Sequence, residues 1–429
     1  MTSAAGKILA YLFIVVSLMP RPDAAAQQLT PPQEVARVAG AREFHAVVEW
    51  LRAHQREIAD KQLELTAIPA PPFGEQQRSR WLAEQFKHAG LKDVHVDELG
   101  NVFGVRPGTE RGAKYLAVSA HIDTVFAAAT KIEVRREGTK LFGPGISDNA
   151  AGVSALLAVA QALKETGARL EMPVVFIGNV GEEGEGDLRG VRHIFSGPWK
   201  EKIAYTLVLD GAATDTIIAQ ALGSRRFEVT VRGAGGHSWS DFGVPNPIVA
   251  LSRAVAKFSA VPVPSDPKTT FNVGAIAGGT SVNSIPESAT MRVDIRSAAT
   301  QEIDRLENAL RQAVSDAVQE TRPGAAGQQP LKFEIKPIGS RPAAELKADS
   351  RMLQVVKAVD AQLGNSSRMQ RASTDANVPM SMGLEALTIG AGGQGGGAHT
   401  LHEWYDPTNR DLGFKRIVMT MMTLAGGAE

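Results

Sequence analysis

The sequence has no cysteine among its 429 residues. Disulfides and thiolate metal ligands are therefore excluded, and any metal site must use imidazole nitrogens and carboxylate oxygens. An excess of charge of one sign is also missing, because 46 lysines and arginines are balanced by 46 aspartates and glutamates. This balance gives no indication of binding to nucleic acid or to an anionic membrane surface. Function must therefore be argued from local groups of residues.

Three catalytic motifs are absent as well. No G-x-S-x-G occurs, which disfavours a serine hydrolase with a nucleophile elbow. The glycine-rich tract at 390–397 is not followed by Gly-Lys-Ser/Thr, so a phosphate-binding loop is unsupported and we expect an ordinary loop. The segment HTLHE at 399–403 is not H-E-x-x-H, so the helical zinc-protease arrangement is missing too.

The N-terminal segment has the pattern of an export signal. Lys7 precedes an apolar run from Ile8 to Leu18, and three alanines ending at Ala26 follow. This pattern predicts a signal peptide over residues 1–26 and export to the periplasm or the extracellular space. The run is shorter than the roughly 20 apolar residues that span a bilayer, so we expect no membrane anchor after cleavage.

The first half of the chain alternates between helices and strands. Helical periodicity covers residues 31–59 and 75–88, a hairpin is predicted at 94–98 and 101–106, and a helix at 149–165. Buried-type strands are predicted at 115–120, 174–180 and 205–210. This alternation predicts an α/β fold with a mostly parallel sheet covered by helices on both faces.

The pattern changes near residue 224 and returns near residue 341. Strands at 226–233, 269–279, 289–296 and 331–338, with helices at 247–260 and 300–320, follow the order of a ferredoxin-like unit. A helix at 348–363, a strand at 386–390 and a helix at 410–424 then resume the first style. We therefore predict a catalytic domain formed by 27–223 and 341–429, interrupted by an inserted α+β domain at 224–340.

Five potential metal ligands lie just past strand ends or in loops, where open α/β sheets bind their ligands: His121, Asp148, Glu183, Asp210 and His399. Two imidazoles and three carboxylates suit two divalent ions that share one carboxylate. Zn²⁺ fits this donor set, with Co²⁺ or Mn²⁺ as substitutes. Asp123 could fix the tautomer of His121, and Glu182, left without a metal, could take a proton from water.

Each of these residues also has a structural interpretation. Asp148 could cap the helix that follows it, His121 could be an ordinary turn histidine, and Asp210 could cap a turn before glycine. The pair Glu182 and Glu183 could belong to a solvated acidic loop. The roles of two further histidines, His193 and His402, remain open.

Taken together, five motifs form a series: SAHIDTV (119–125), GISDNAAGVSALL (145–157), GNVGEEGEG (178–186), VLDG (208–211) and GAHTLHEWYDP (397–407). In order and spacing they resemble the co-catalytic dizinc family that includes carboxypeptidase G, peptidase T, aminoacylase and acetylornithine deacetylase. The resemblance implies that Asp148 bridges two zinc ions. His121 and Asp210 would then complete one site, and Glu183 and His399 the other.

The same resemblance implies roles for the neighbouring residues. Glu182 would be the general base, Asp123 the partner of His121, and the peptide bond from Asp148 to Asn149 would be cis.

In the inserted domain, the resemblance implies that His237 of GAGGHSW points at the scissile carbonyl. Asn283 and Arg296 match the substrate-binding Asn and Arg of the family, and the inserted domain is expected to act as a lid or to form a homodimer. An arginine fork at position 296 would suit a free carboxylate of the substrate.

We therefore predict a zinc-dependent exopeptidase for short peptides. Asp at position 210, where the deacetylase branches more often have Glu, and the similarity of HTLHEWYDP and STDAN (373–377) to peptidase sequences favour this interpretation. The alternative is an N-acyl amino acid amidohydrolase. A metal-bearing binding protein without turnover is a third class, which the presence of Glu182 disfavours.

Overall fold

The computed structural model describes residues 1–2, 29–324 and 329–427. The apolar run and cleavage site of the predicted signal peptide lie outside the described residues. Within the described ranges, no helix is both long enough and apolar enough to cross a membrane.

A nine-stranded sheet forms the larger part of the molecule. Its strands are β1 (Lys92–Val96), β2 (Val102–Arg106), β3 (Tyr115–His121), β6 (Val174–Asn179), β7 (Ile203–Leu209), β8 (Thr216–Ala221), β15 (Ala344–Glu345), β16 (Arg368–Ala372) and β17 (Glu385–Ile389). They lie in the order β1-β2-β6-β3-β7-β17-β8-β15, with β16 also paired to β8. The four central strands β6, β3, β7 and β17 are parallel, and β1 and β2 form the predicted antiparallel hairpin.

Helices cover both faces of this sheet: α1 (Pro31–Gly40), α2 (Arg42–Ala53), α3 (Gln55–Thr66), α4 (Gln76–His88), α5 (Ala150–Thr166), α6 (Arg189–Ser196), α7 (Trp199–Lys202), α10 (Arg351–Gln362), α11 (Asn377–Ser381) and α12 (Arg410–Leu424). Alternate strand residues feed two separate cores. Val174 and Phe176 pack on the side of α1 to α5, whereas Val175 and Ile177 pack on the side of α6. The strands are therefore apolar on both faces, as parallel sheets require.

The helical periodicity of residues 31–59 is confirmed, but the segment is divided into separate helices. The chain leaves helical geometry at Ala41, which is extended, and again at His54. Because α1 packs mainly on α10 while α2 packs on α5 and α12, one straight helix could not keep its apolar side on both partners.

The inserted region forms a second sheet with its own helices: β9 (Gly223–Arg232), β10 (Gly236–His237), α8 (Pro247–Ser259), β11 (Thr269–Gly278), β12 (Ser284–Ile285), β13 (Ser288–Ser297), α9 (Thr300–Glu320) and β14 (Lys332–Arg341). The antiparallel order β11-β13-β9-β14 is that of a ferredoxin-like unit. Phe227, Val229 and Val231 pack against α8 and α9, which cover one face of this sheet. We call this unit the lid. Together, the large sheet and the inserted unit confirm the predicted fold class.

A small sheet joins two distant loops. It consists of β4 (Arg135–Glu137), β5 (Lys140–Phe142), β18 (Gln394–Gly396) and β19 (Trp404–Asp406), in the order β18-β19-β5-β4. The prediction that 390–397 is entirely loop is therefore wrong for three residues, which pair with β19. Because β19 also pairs with β5, the loop containing His399 is held beside the loop that leads to Asp148.

Candidate metal centre and catalytic cleft

Three neighbouring strands deliver potential ligands to one edge of the large sheet. His121 is the last residue of β3, Glu182 and Glu183 follow β6, and Asp210 directly follows β7. Because these strands are parallel, their carboxyl ends meet at the same edge. The loop between β18 and β19 contributes His399 to the same group of residues.

The five predicted ligands lie together in two groups that share Asp148. One oxygen of Asp148, Oδ1, lies 3.1 Å from His121 Nε2, and that nitrogen lies 3.7 Å from Asp210 Oδ1. The other oxygen, Oδ2, lies 3.2 Å from His399 Nε2, which is 3.0 Å from Glu183 Oε1. Each Asp148 oxygen therefore faces a different histidine, as a bridging carboxylate requires. The residues present fit two divalent ions held by nitrogen and oxygen donors.

The protonation of the histidines supports this fit. Burial would lower the pKa of His121, but hydrogen bonds to the surrounding aspartates outweigh it and raise that pKa well above its usual range. Hydrogen bonds to Asp148 and Glu183 raise the pKa of His399 to about 10. The same two imidazoles hold the pKa of Asp148 below its usual range despite burial. The carboxylates thus attract positive charge at two points, and two cations would displace these two protons.

Asp123 is fully buried and contacts three parts of the site. Its Oδ1 accepts a hydrogen bond from the backbone N–H of Glu182 at 3.0 Å, and its Oδ2 accepts one from Glu183 at 2.9 Å. Its Oδ1 also lies 3.5 Å from His121 Nδ1, close enough for an ion pair but longer than a normal hydrogen bond. Asp123 therefore positions the turn that carries Glu182 as well as facing His121.

Glu182 is buried, and so is Glu183, which rules out a solvated acidic loop. Burial raises the pKa of Glu182 well above its usual range, while the charges of Arg341 and His121 oppose the shift. Arg341 Nη1 donates to Glu182 Oε1 at 2.8 Å, and Arg341 Nη2 donates to the Glu182 carbonyl. Glu182 also lies within a third group with His121 and Glu183. Its pairing with Arg341 distinguishes it from the carboxylates that have only histidine partners.

Arg341 is a site residue that the sequence did not reveal. Arg341 is the last residue of β14. Its positive charge therefore extends from the lid to the edge of the large sheet, where Arg341 also donates a hydrogen bond to Ser373 Oγ at 3.1 Å. The only sequence signal was an arginine before proline at the point where the predicted lid ends.

Glu403 was also missed, although it lies in a motif whose histidine was used. Its carboxylate is buried and accepts hydrogen bonds from the backbone N–H groups of Gly145 at 2.7 Å and of Ser147 and Asp148 at 2.8 Å. Burial raises the pKa of Glu403 to about 7, and these three bonds oppose the shift. Glu403 therefore holds the turn that presents Asp148 to the ligand cluster.

The interpretation of Asp148 as a helix cap is wrong by one position. The N-cap of α5 is Asn149, whose side chain accepts from the Gly152 N–H at 3.0 Å and donates to the Leu209 carbonyl at 2.9 Å. The peptide bond between Asp148 and Asn149 is cis, as the resemblance implied. Capping and metal binding are thus divided between two adjacent residues.

A cavity of about 540 Å³ opens beside the cluster and is lined by Asp148, Glu182, Glu183, Asp210 and His399. Arg296 lines the same cavity. His237 and Asn283 do not line it; they lie together at β10 and β12, where the Ser238 N–H donates to the Asn283 carbonyl at 3.0 Å. His237 is exposed, and the roles predicted for these two residues remain predictions.

The other open histidines lie outside the ligand groups. His193 Nε2 lies 3.0 Å from Glu98 Oε1 in a separate groove of about 280 Å³. His402 is exposed, and its backbone N–H donates to Thr400 Oγ1. A carboxyl that the sequence did not single out, Asp375, is buried nearby and accepts from Asn179 Nδ2 at 2.7 Å.

A ligand cluster at the carboxyl edge of a parallel sheet, with a buried carboxylate beside it, is typical of a metal-dependent hydrolase. Residues 117–423 match the peptidase family M20/M25/M40, a range that includes all five ligand candidates and Glu182. The chain therefore belongs to this family of hydrolases, which act on peptide and amide bonds.

Two curated relatives and two solved structures illustrate the similarity. The uncharacterized protein YqjE of Bacillus subtilis is 23% identical over 79% of this chain and 91% of its own length. Carboxypeptidase G2 of Pseudomonas sp. is 29% identical, but the match spans only 52% of this chain and 55% of that protein.

Among solved structures, aminopeptidase PepT of Bacillus cereus has a TM-score of 0.69 at 19% identity, covering 86% of this chain and 99% of its own. The YXEP protein of Bacillus subtilis, a dinuclear metal-binding peptidase from the M20 family, has a TM-score of 0.64 at 16% identity, covering 87% and 99%. At these identities the likeness shows the fold.

Proposed function

We propose that this protein is an exported, zinc-dependent exopeptidase for short peptides. Two neighbouring carboxylates carry the proposal. The two oxygens of Asp148 face two different histidines, and Glu182 is buried beside them. One supplies a bridge for two ions, and the other supplies a base that is not needed as a ligand.

Two divalent ions held by the five ligand candidates would act as Lewis acids, lowering the pKa of water from about 15.7 towards 7 and polarising the scissile carbonyl. Glu182 accepts the proton of the attacking water on a carboxylate oxygen and later donates it to the leaving amine nitrogen. Its raised pKa brings proton uptake and release closer to neutral pH, where general acid–base catalysis works best. Asp123 and Arg341 hold the base in place through its N–H, its carbonyl and Oε1.

Arg296 supports cleavage at a chain end. Its guanidinium lines the cavity and could bind the free carboxylate of a short substrate in a bidentate manner. A cavity of about 540 Å³ is within the range that accommodates small ligands, so a short peptide fits better than a folded protein.

One observation favours the alternative, an N-acyl amino acid amidohydrolase. Among the described residues that line the cavity, every carboxylate is either a ligand candidate or the base Glu182. None is left over to bind the ammonium group of a peptide's free N-terminus. An acyl group has no such charge and would need no partner.

A homodimer through the lid is the proposed assembly. Large apolar side chains are exposed near β10 to β12, including Trp239 and Phe242, each 88% exposed, and Val282, which is fully exposed. Exposed apolar surface of this kind is typical of a contact with another protein. His237 and Asn283 lie in the same region, so a docked second copy would give these residues a partner surface.

The decisive experiment is a substrate panel with a chelator control. The purified zinc-loaded protein is offered dipeptides, tripeptides and N-acyl amino acids, and we expect hydrolysis that chelation abolishes and added zinc restores. Preference for free peptides supports the exopeptidase, and preference for acylated ones supports the alternative. Activity that survives complete metal removal would refute the proposal.

Metal analysis, light scattering and N-terminal sequencing test the remaining parts. We expect two zinc ions per chain, a dimer that Val282→Asp dissociates, and an exported protein that begins at Gln27. A protein that stays in the cytoplasm with residues 1–26 attached would contradict export.

A further inference from the structure

Three arginines from neighbouring strands of the lid lie on one face of its sheet. Arg296 on β13 and Arg341 on β14 are both paired with Ser224 of β9, and Arg226 lies two residues farther along β9. Residues directly opposite each other, or two apart on one strand, project from the same face of a sheet. Phe227, one residue on, points to α8 and α9, so the three arginines lie on the opposite face of the sheet.

A fourth arginine approaches from the other side of the cleft. Arg371 lies on β16 of the large sheet, next to the buried turn that carries Asp375. Arg226, Arg296, Arg341 and Arg371 all line the same cavity of about 540 Å³ as Glu182 and Asp148. The cavity beside the ligand cluster is therefore lined by four arginines, three from the lid and one from the large sheet.

These arginines have too few carboxylate partners. Arg296 Nε and Arg226 Nε share Asp294, at 2.6 Å and 3.2 Å. Arg341 is paired with Glu182 at 2.8 Å. In the part of the chain that the structure describes, the exposed side chain of Arg371 has no carboxylate partner. Of the four arginines, Arg371 is thus the one without an ion-pair partner among the described residues.

Two neighbouring arginines that do not line the cavity have carboxylate partners. Arg225, the neighbour of Arg226 on the opposite face of β9, has two carboxylates of its own, Asp304 at 2.7 Å and Glu307 at 2.6 Å. Arg368, three residues before Arg371 on β16, is paired with Asp215 at 3.3 Å. Arg371 therefore differs from Arg368 of the same strand in having no carboxylate partner.

The carboxylates of the ligand cluster would not serve as partners of Arg371. Its three carboxylates together with Asp123 carry four negative charges, which balance the four positive charges of two divalent ions. Arg371 is then left to the substrate.

We infer that the residue on the carboxyl side of the scissile bond is acidic and that Arg371 binds its side-chain carboxylate. Arg296, supported by Arg226, binds the α-carboxylate of the same residue. The side-chain carboxylate would give Arg371 the partner that it lacks within the protein. An uncharged isostere would leave Arg371 without a partner, and a site built around a charged hydrogen bond discriminates against such a substrate. This inference rests on the proposed amide hydrolysis and names its substrate class.

The test uses matched substrates that differ in one charge. Dipeptides and N-acyl amino acids ending in Glu or Asp are compared with those ending in Gln or Asn, which have nearly the same shape. We expect kcat/KM of the zinc-loaded enzyme to be about 10- to 100-fold higher for the acidic member of each pair, the range of a charged hydrogen bond.

Arginine variants locate the preference. Arg371→Gln should bring the acidic-to-amide ratio close to one by slowing only the acidic substrates. Arg368→Gln, on the same strand but outside the cavity, should leave the ratio unchanged. Arg292→Gln is the matching control for the lid, because Arg292 lies on the same face but is paired with Glu228 at 3.0 Å and is more exposed.

Equal rates for acidic and amide substrates, or a ratio that Arg371→Gln does not change, would overturn the inference while leaving amide hydrolysis intact. If no compound of either series is hydrolysed, the proposed function fails. The subsite is then tested separately by a binding measurement. Calorimetry with free L-glutamate and L-glutamine supports the subsite if the wild type prefers glutamate and Arg371→Gln does not. Equal affinities for the two would overturn it.

Discussion

The two walls of the cleft are built differently. On the wall formed by the large sheet, Asp123 and Glu403 accept five backbone N–H bonds between them, so the turns carrying Glu182 and Asp148 are held by buried carboxylates. On the lid wall, Arg296 is 43% exposed, and the His237 ring accepts hydrogen bonds from Trp239 and Ser240 of its own turn. The first wall is organised before the substrate arrives. The second has charged groups and exposed surface that are still available to a substrate or to a second copy of the chain. Chemistry that requires fixed geometry is therefore placed on the rigid wall.

The largest effect is expected from Glu182→Gln, which removes the base from the rigid wall without changing its shape. We expect kcat to fall by about 10²- to 10⁴-fold, because proton transfer by the carboxylate is lost. Zinc content should remain that of the wild type, since Glu182 is not among the five ligand candidates. Turnover and metal content are measured on the same sample. Near-normal turnover would show that another group is the base.

Asp375→Asn tests the electrostatic cost of organising that wall. Burial raises the pKa of Asp375 to about 7, compared with about 3.9 in an unfolded chain. Because the folded protein binds this proton more tightly, stability is greatest below about pH 4 and falls as the pH rises to about 7, above which the loss is complete.

The variant should therefore be more stable than the wild type at pH 8, by on the order of 3 kcal/mol, and similar at pH 4. Urea denaturation of the chelated proteins at both pH values measures this difference. Asp349→Asn, at an exposed position, is the control. A wild-type advantage at pH 8 would contradict the assignment of Asp375 as a costly buried acid.

Glu403→Gln tests whether the turn before Asp148 must be held for metal to bind. An amide can accept with only one atom, so one of the three backbone N–H groups would face an NH₂ group. We expect zinc affinity to fall by about 10- to 100-fold, as for other residues that orient metal ligands. Glu403→Asp should recover part of the loss.

The matched control for Glu403 is Glu385→Gln. Glu385 also accepts two backbone N–H bonds, from Arg351 and Met352 at the start of α10, but lies away from the ligand cluster. It should affect the melting temperature without changing zinc affinity. Equal losses of affinity in both variants would indicate general destabilisation instead of positioning.

The smallest effect concerns the attachment of the lid. Asp187 Oδ1 accepts from the Ser340 N–H at 2.9 Å, next to Arg341, and Arg226 Nη1 donates to the Gly184 carbonyl at 3.2 Å. Asp187→Ala should lower kcat/KM by about 2- to 10-fold, the equivalent of one hydrogen bond, with zinc content unchanged. Asp187→Asn should be milder because it keeps an acceptor and tolerates the positive φ of 49° at this position. An unchanged kcat/KM in Asp187→Ala would show that the lid's position does not depend on this contact.

The fold class and the ligand candidates could be predicted because both depend on local order. The periodicity of strands and helices is visible within a few residues. Because the carboxyl ends of parallel strands meet at one edge, the sequence predicted that His121, Glu183 and Asp210 lie close together. The cis bond at Asp148 followed from the family resemblance. Helix ends were harder, since Ala41 and His54 interrupt a periodicity that continues through them.

Only the tertiary structure decided the contacts between segments that lie far apart in the chain. Glu403 holds a turn more than 250 residues away, and Arg341 crosses from the lid to a base 159 residues earlier. Neither contact has a sequence period or spacing, because it depends on where two independently formed elements pack. The same reason explains why four arginines from different strands, each an ordinary strand residue in the sequence, line one cavity only after both sheets are in place.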